Sequence, residues 1–406
     1  MKKFLALLLT GAMALGLLAG CGSKEEAPAA AAAESGKLNV KAGFICLHDE
    51  NSTYDLNFIN AAKEACEQLG VEYIIKTNIP EGQECYDAAC ELADAGCGYI
   101  FADSFGHEDY MIEAAKEYPD IQFAHATGTK AHTENLANYH NAFASIYEGR
   151  YLAGVVAGMK LNEMIDNGTI TADQAKIGYV GAYTYAEVIS GYTSFFLGAR
   201  SICPSATMEV TFTGSWYDET AEKEGANKLI SDGCVLLSQH ADSMGAPTAC
   251  ETAGVPDVSY NGSTAAACPN TFLVSSRIDW APYFVYSITA TANKEAFDTD
   301  WTGTIATGSV KLTDLGGAVA EGTQAKLDEV KAALGNGSVH VFDTATFTVE
   351  GAKMDSYMAD VDTDANYEGD HEVITDGYFN ESGAGFRSAP YFDLQIDGIE
   401  LLDTAF

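Results

Sequence analysis

Positive charge is scarce in this chain. Its 406 residues include 22 lysines and arginines against 58 aspartates and glutamates, and the formal net charge is −36. A surface this acidic repels nucleic acids and anionic membranes alike, and no basic stretch interleaved with aromatic residues offsets it. Nucleic-acid binding is therefore excluded.

Motifs of several common functional sites are also missing. No Gly-x-Gly-x-x-Gly follows the first predicted strand and no phosphate-binding loop carries a lysine, which argues against a nucleotide-phosphate site. The ten cysteines include no Cys-x-x-Cys pair and lack the ligand spacing of a zinc site. We expect most of them to be buried as small apolar residues, with one or two disulfides as the alternative. The sequence thus predicts no metal site and no cofactor.

Long apolar runs are confined to the N-terminus. Lys2 and Lys3 precede an apolar run that ends at Leu18, and Leu-Ala-Gly leads into Cys21. This pattern predicts a signal peptide over residues 1–20 and acylation of Cys21, although an ordinary signal peptide with a chance cysteine would look similar. We expect a protein held by lipid on the extracytoplasmic face of the cell membrane. No later stretch reaches the roughly 18 apolar residues of a membrane-spanning helix.

The rest of the chain alternates between predicted strands and helices. Residues 40–47 form an apolar strand pattern, residues 57–69 have the apolar spacing of a helix, and the alternation restarts at Lys176–Gly181. Strands separated by helices favour parallel sheets with right-handed crossovers. We therefore predict an α/β protein of the type I periplasmic-binding-protein fold. It has two lobes, each a mostly parallel sheet flanked by helices, with a ligand cleft between them.

Composition and pattern also predict where the parts begin and end. Residues 21–38, rich in alanine and small polar residues, fit a flexible tether. We assign residues 39–160 to the first lobe and residues 161–300 to the second. Residues 301–406 are predicted to return to the first lobe, with an acidic surface insertion at about 351–385.

Two stretches of the chain resemble each other. Residues 92–106 and 229–245 each end a predicted helix with Gly-Cys, continue as an apolar strand and finish on Ala-Asp-Ser-x-Gly, although the second stretch is two residues longer. Open parallel sheets bind ligands outside the carboxyl ends of their strands. The repeat therefore predicts that each lobe presents an Asp-Ser-x-Gly turn to a shared cleft.

The same turns suggest an enzymatic alternative. Ala-x-Ser-x-Gly at residues 102–106 and 241–245 resembles the strained turn that exposes the nucleophilic serine of α/β-hydrolases. A serine hydrolase needs one nucleophile, so two copies of the turn argue against this function. We predict no catalytic residue and no enzymatic activity.

Side chains suited to a ligand are concentrated after the predicted strands. Aromatic rings offer flat apolar faces, and carboxylates accept paired N–H or O–H groups in fixed geometry. That combination suits a flat heterocycle or a ring that carries hydroxyls. The candidate ligand-binding residues are Asp49, Tyr54, Ser104, Phe105, Trp216, His240, Asp242, Asn261, Asp279 and Trp280.

Several of these residues belong to longer motifs. The chain contains Ser104-Phe-Gly106, His125-Ala-Thr-Gly128, Tyr147-Glu-Gly-Arg-Tyr151, Glu187-Val-Ile-Ser-Gly191, Trp216-Tyr-Asp218, Gln239-His-Ala-Asp-Ser243 and Asp279-Trp-Ala-Pro-Tyr283. In this order the motifs resemble the basic membrane protein family of ABC-transporter substrate-binding lipoproteins, above all its purine-binding branch. The resemblance implies a monomer that binds a purine nucleobase or nucleoside and delivers it to the permease and ATPase subunits of an importer.

The resemblance also implies roles for individual residues. Relatives clamp a purine between aromatic rings at the positions of Tyr54 and Trp216, and a carboxylate at the position of Asp242 reads the edge of the ring. Asp279 and Trp280 are expected either to close the floor of the site or to belong to the hinge.

The chain departs from the family pattern in two places. Nucleoside-binding relatives have a lysine at about the position of Ser276 and an aspartate near Asn261 or Gly262, so their absence here favours a free nucleobase. The loop at residues 48–52 also differs from the glycine-rich loop of purine-binding relatives. The alternatives are another solute, such as a sugar, riboflavin or an autoinducer-like molecule, and a role as a signalling co-receptor.

Overall fold

The computed structural model describes residues 38–361, 371–381, 383 and 386–404. The predicted signal peptide, Cys21 and nearly all of the tether lie outside the described residues, as does part of the acidic insertion. Within the described part, no helix is both long enough and apolar enough to cross a bilayer. The nine cysteines found there are free thiols, and all except Cys90 are buried.

A six-stranded parallel sheet forms the first lobe, in the order β11-β5-β4-β3-β1-β2. Its elements are β1 (Lys41–Ile45), α1 (Thr53–Leu69), β2 (Glu72–Lys76), α2 (Gln83–Asp94), β3 (Tyr99–Ala102), α3 (Glu108–Glu117), β4 (Gln122–Ala126), α4 (Ala131–Glu134), β5 (Tyr139–Ala144) and β11 (Asp300–Gly303). Apolar side chains pack on both faces of the sheet, which explains why its strands have continuous apolar sequences.

The second lobe contains a seven-stranded sheet in the order β12-β10-β9-β8-β6-β7-β17, parallel except for β12. Its elements are α5 (Ile146–Asp166), β6 (Lys176–Gly181), α6 (Ala186–Ile202), β7 (Thr207–Phe212), α7 (Glu219–Ser231), β8 (Leu236–His240), α8 (Gly245–Ala253), β9 (Asp257–Tyr260), β10 (Phe272–Ile278), β12 (Val310–Leu312) and β17 (Ile399–Leu401). The predicted two-lobed α/β architecture is thus the observed one.

The remaining elements lie in the last third of the chain. They are α9 (Ala281–Asn293), α10 (Thr323–Gly335), β13 (Met358–Ala359), β14 (His371–Glu372), β15 (Ile374–Thr375) and β16 (Tyr378–Phe379). The last four form two short antiparallel pairs, β13 with β14 and β15 with β16.

The chain crosses between the lobes three times, after β5, after β10 and between β11 and β12. Helix α5 therefore packs in the second lobe from Tyr147 onward, whereas α9 packs against α1 in the first lobe. These crossings correct the expected boundary at residue 160 and the assignment of residues 281–300 to the second lobe. A strand–helix alternation cannot reveal them, because it does not show which sheet a strand will join.

The C-terminal region belongs mainly to the second lobe, which corrects the expectation that residues 301–406 return to the first. Only β11 completes the first sheet, while β12 and β17 are the two edges of the second. The acidic segment at about 351–385 is also more than a surface insertion. Val361, Val373 and Phe379 are buried in the core of the second lobe.

Two stretches with strand-like apolar patterns, residues 339–342 and 391–396, are irregular in the structure. All of their apolar side chains except the partly buried Val339 are nevertheless buried, and the rings of Phe342 and Phe392 stack with centroids 4.2 Å apart. The alternating pattern therefore marked burial correctly but not strand pairing.

Helices α5 and α6 approach each other closely through glycines. A Cβ atom on Gly154 would lie 2.0 Å from the carbonyl oxygen of Phe195, and one on Gly198 would lie 2.1 Å from that of Tyr151. Both distances are far below van der Waals contact with a rigid backbone. The glycines are therefore required for this helix pair, which covers one face of the second sheet.

We expect Gly198→Ala to destabilise the protein by about 1–3 kcal/mol, the usual range for overpacking a well-packed core. Gly335→Ala is the matched control, because a Cβ on this helical glycine would have no atom within 4 Å. The midpoints of urea unfolding should fall for the first variant and stay level or rise for the second. Equal midpoints for Gly198→Ala and wild type would contradict this account of the helix contact.

Candidate functional site

A cavity lies where the two sheets face each other. In the first sheet the strand order reverses between β1 and β3, and in the second it reverses between β6 and β8. Ligands of open α/β sheets bind at such reversals, outside the carboxyl ends of the strands. The cavity, with the space around it that is open to solvent, comprises about 360 Å³. It is lined by Leu47, His48, Tyr54, Asp55, Ser104, Phe105, Thr127, Glu187, Trp216, His240, Asp242 and Tyr260.

The lobes contact each other around this cavity. At the start of α1, the Thr53 N–H donates to the carbonyl oxygen of Asp242, over 3.0 Å. The ring centroids of Phe105 and Tyr185, from opposite lobes, lie 5.2 Å apart. The structure is therefore a closed form of the two-lobed protein.

The two Asp-Ser-x-Gly turns of the sequence repeat face the interlobe region, but they present different residues to the cavity. The first turn contributes Ser104 and Phe105, whereas the second contributes Asp242. A glutamate supports each turn: Glu81 accepts from Ser104 and Gly106, and Glu222 accepts from the Ser243 N–H. The repeat therefore predicted the position of the turns but not the equivalence of their side chains.

Aromatic rings form the apolar part of the cavity. Tyr54 is fixed by its hydroxyl, which donates to the carbonyl oxygen of Asp103 over 2.8 Å, and by an edge contact with Phe58. On the other lobe, Trp216 packs against Tyr183 with ring centroids 5.0 Å apart. Rings held in this way can contact a flat guest without losing much conformational freedom when it binds.

Asp242 is buried, and its backbone N–H donates to the carbonyl oxygen of Trp216. Burial raises the pKa of the Asp242 carboxyl well above its ordinary value, and the neighbouring carboxyls of Asp55 and Glu222 raise it further. A ligand that donates N–H or O–H bonds to this carboxylate would favour its ionised form.

Asp55 is equally buried but behaves differently. Burial acts to raise its pKa, yet hydrogen bonds from His48 and Ser52 outweigh that effect and hold the pKa below its ordinary value. The Ser52 hydroxyl donates over 2.6 Å and the His48 N–H over 2.8 Å. The cavity therefore contains one carboxylate that is already stabilised as an anion and another, Asp242, that is not.

His240 and Arg150 support the floor of the cavity in the second lobe. Burial, followed by the nearby guanidinium of Arg150, lowers the pKa of His240 to about 4, so the imidazole is neutral at pH 7. Arg150 lies behind the lining, with its guanidinium carbon 3.4 Å from the ring centroid of Tyr260 and one N–H donated to the carbonyl oxygen of Gln239. This cation–π contact helps to hold the Tyr260 ring in one orientation.

Six of the residues expected to bind ligand line the cavity together: Tyr54, Ser104, Phe105, Trp216, His240 and Asp242. Asp49 and Asn261 do not. Asp49 accepts from the backbone and side chain of Asn51 and stabilises its own loop. Asn261 has a positive φ of 60° at the end of β9 and is buried beside the cavity lining.

Asp279 and Trp280 also lie outside the cavity lining, which corrects the expectation that they close its floor. Asp279 is at the crossover from β10 to α9 and forms an ion pair with Lys311. Trp280 is 1% exposed and stacks on Phe58, with ring centroids 4.5 Å apart, in the core of the first lobe. The position of Asp279 in a segment that crosses between the lobes is compatible with the other expected role, that of a hinge residue, which stays a prediction.

Several lining residues were not among the predicted ligand-binding residues: Leu47, Asp55, Thr127, Glu187 and Tyr260. Thr127 directly follows β4 and Tyr260 ends β9, so the rule that selected the other candidates applied to these two as well. Asp55 resembled a helix-start residue, since it lies in the first turn of α1 after the Ser52 N-cap. It lies ten residues beyond the end of β1, so the strand-end rule did not single it out.

The serines of the two turns lack the partners of a nucleophile. The Ser104 hydroxyl donates to Glu81 over 2.6 Å, while His125 contacts only the backbone carbonyl oxygen of Ser104. The Ser243 hydroxyl accepts from the Gly245 N–H. Among the described residues, no histidine hydrogen-bonds to either hydroxyl, as a general base would have to do.

Comparison with known proteins identifies the family. The family model described as ABC transporter substrate-binding protein, PnrA-like (Bmp), matches residues 45–341. The chain belongs to this family. Its members are the substrate-binding components of ABC transporters rather than enzymes, and their partners are small-molecule ligands and permeases.

Two relatives are similar over much of the chain. A purine-binding protein of Brucella abortus (strain 2308) is 33% identical over 251 residues, which cover 61% of this chain and 67% of that protein. A putative ABC transporter glucose-binding protein of Haloferax volcanii is 34% identical over 224 residues, which cover 55% of this chain and 53% of that protein. This Bmp-family protein therefore has similar relatives with differently named ligands.

Solved structures agree with the fold. A solute-binding protein from Aeropyrum pernix K1 has a TM-score of 0.62 at 16% identity and covers 75% of this chain and 93% of its own. One from Conexibacter woesei has a TM-score of 0.59 at 20% identity, with coverage of 74% and 98%. These neighbours are type I periplasmic solute-binding proteins, and the predicted fold is confirmed.

We expect Asp242→Asn to stabilise the ligand-free protein at pH 7. The pKa of Asp242 is higher in the folded than in the unfolded state. The free energy of unfolding therefore decreases as the pH rises above about 3.9, the pKa of an aspartate in the unfolded chain. Removing the carboxyl removes that loss. Thermal unfolding at a series of pH values should show a higher midpoint for the variant at pH 7, and the difference should shrink as the pH falls toward about 4.

Asp120→Asn, a change of the same charge in an exposed turn, is the control and should shift the midpoint little at any pH. A lower midpoint for Asp242→Asn than for wild type at pH 7 would show that this carboxyl is stabilised in the empty cavity.

Proposed function

We propose that this protein binds a purine nucleobase or nucleoside in the interlobe cavity and delivers it to the permease of an ABC importer. The observation that carries the proposal is the composition of the cavity lining. It joins the rings of Tyr54, Trp216 and Tyr260 to carboxyl groups, and it includes no lysine or arginine. A flat guest that carries N–H donors satisfies both parts of such a lining.

In this proposal the rings contact the faces of the guest, and the carboxyl groups accept hydrogen bonds from its edge. A carboxylate accepts two parallel N–H bonds from one side of a planar group, and an amino-substituted purine such as guanine offers that pair. These features, with the 33% identity to a purine-binding protein, support a neutral, donor-rich purine.

A sugar is the second candidate. The putative glucose-binding relative is as similar as the purine-binding one, at 34% identity. Carboxylates and aromatic rings also bind hydroxylated rings, because O–H groups donate to the former and C–H faces pack on the latter. A solute comparison distinguishes the two candidates.

Native mass spectrometry of the purified protein, followed by calorimetry, tests the proposal. We expect a co-purifying purine, and calorimetric binding of guanine, adenine or hypoxanthine. Urate should bind at least tenfold more weakly than a neutral base, because its negative charge meets three carboxyl groups, those of Asp55, Glu187 and Asp242. Binding of glucose with no binding of any purine would replace the first candidate with the second.

Trp216→Ala and Asp242→Ala should each reduce affinity for that solute about 30-fold or more, equal to about 2 kcal/mol, the typical loss for a buried anchor. Tyr286→Ala, which truncates a partly exposed ring on α9 outside the cavity lining, is the control and should bind as wild type does. Wild-type affinity in both cavity variants would remove the site assignment.

We further propose that acylated Cys21 holds the protein on the extracytoplasmic face of the membrane. The basic residues, apolar run and Leu-Ala-Gly-Cys sequence of the first 21 residues support this location.

In bacterial cells, the wild-type protein should incorporate labelled palmitate and remain in the membrane fraction. Cys21→Ser should lose the label. Cys90→Ser, which changes another cysteine outside the signal sequence, should keep it. Labelling that persists in Cys21→Ser would contradict this anchor.

A further inference from the structure

Three buried side chains form a compact group at the cavity, and only Asp55 among them belongs to the cavity lining. Cys46, Asp55 and Asp103 are each at most 2% exposed, and a sulfur or carboxylate oxygen from each lies within 4.8 Å of the others. Within the described residues, it is the only such group of three potential metal ligands. We propose that these residues bind a divalent transition-metal ion of the zinc type.

An unpaired carboxylate oxygen of Asp103 supports the binding of a cation at this position. Oδ1 of Asp103 accepts from the Leu47 N–H over 3.1 Å, but Oδ2 is buried and has no donor in hydrogen-bond geometry within the described part of the chain. A buried carboxylate oxygen without a partner is unfavourable, because it has lost its hydration without gaining a hydrogen bond. A cation bound at Oδ2 would remove this penalty.

The charge of the group is only partly compensated. Asp55 has an ion-pair contact with His48, at 3.4 Å between Nδ1 and Oδ2. No lysine or arginine of the described residues forms an ion pair with Asp55 or Asp103. Two adjacent buried carboxyls need either a shared proton or a cation, and the neighbouring thiol makes a cation that accepts sulfur the better match.

The fold orients these groups before any ion arrives. Cys46 and Asp103 directly follow β1 and β3, which are hydrogen-bonded neighbours with Ile45 opposite Ala102. The Asp55 carboxylate is held by Ser52 and by the His48 N–H. Outer hydrogen bonds of this kind are typical of metal sites, where they fix the direction of the ligand atoms.

The ligand types indicate the class of metal. One thiolate and two carboxylates, with the His48 imidazole next to Asp55, form a mixed sulfur, oxygen and nitrogen set that suits Zn²⁺ or Co²⁺ and not Mg²⁺ or Ca²⁺. Asp55 also lines the cavity, which gives an ion a route to the group. The ligands come from three separate parts of the chain, so no spacing motif in the sequence marks them.

Cobalt binding to the purified full-length protein tests the proposal. Co²⁺ added to reduced protein in the absence of oxygen should produce one equivalent of binding and a near-ultraviolet absorption band from thiolate-to-cobalt charge transfer. Zn²⁺ should displace the cobalt and abolish the band. Cys46→Ser should lose the band, whereas Cys66→Ser, a change at another buried cysteine of the first lobe, should keep it.

Asp103→Asn is the second variant, since it keeps the size of the side chain and retains the thiol. Its affinity for Co²⁺ should fall at least tenfold, while circular dichroism confirms that each variant is folded. Absence of the band in wild type, or a band of full intensity in Cys46→Ser, would overturn the proposal. Either result would leave the two carboxyls sharing a proton in place of a metal ion.

Discussion

Repulsion between carboxyl groups in the cleft is the constraint on which this structure depends. The closed lobes bring Asp55, Glu187 and Asp242 to one small cavity, and the pKa of Asp242 is raised by burial and by its acidic neighbours. Closing the empty protein is thus opposed by charge, and a guest with donor groups removes the opposition. Under the proposed function, selectivity and closure have the same physical origin, because the groups proposed to recognise the solute are those that resist closing without it.

The positions of these groups follow from topology. Parallel strands all end at one edge of a sheet, and the reversal of strand order in each sheet opens a gap between neighbouring loops. Because the carboxyl-end edges of the two sheets face each other, loops from both lobes surround one cavity. The short contact from Thr53 to the Asp242 carbonyl connects the start of α1 directly to the turn that carries the main carboxyl. Movement of either lobe therefore moves the recognising groups.

Local features of this fold were predictable from sequence, whereas long-range pairing was not. Strand and helix patterns depend on neighbouring residues, and the bounds of Lys176–Gly181 agree with those of β6. Membership of a sheet depends on partners hundreds of residues away, as β17 beside β7 illustrates, so the lobe assignment of the C-terminal region was wrong. The candidate site likewise contains residues that the sequence could place and residues that it could not. Trp216 and Asp242 were identified from strand ends, but Trp280 has the same sequence signal and lies in the core, because a strand end does not determine which side of the backbone a ring occupies.

The three crossovers have a consequence for how the protein can be divided. Neither lobe is one continuous segment: the first needs β11 from residues 300–303, and the second needs β17 from the far end of the chain. A single cut in one crossover leaves the halves joined by two others, so a nicked molecule stays assembled. For the same reason, recombination at one point in the gene cannot exchange an intact lobe for that of a relative, and changes of solute must arise by substitution within the cleft.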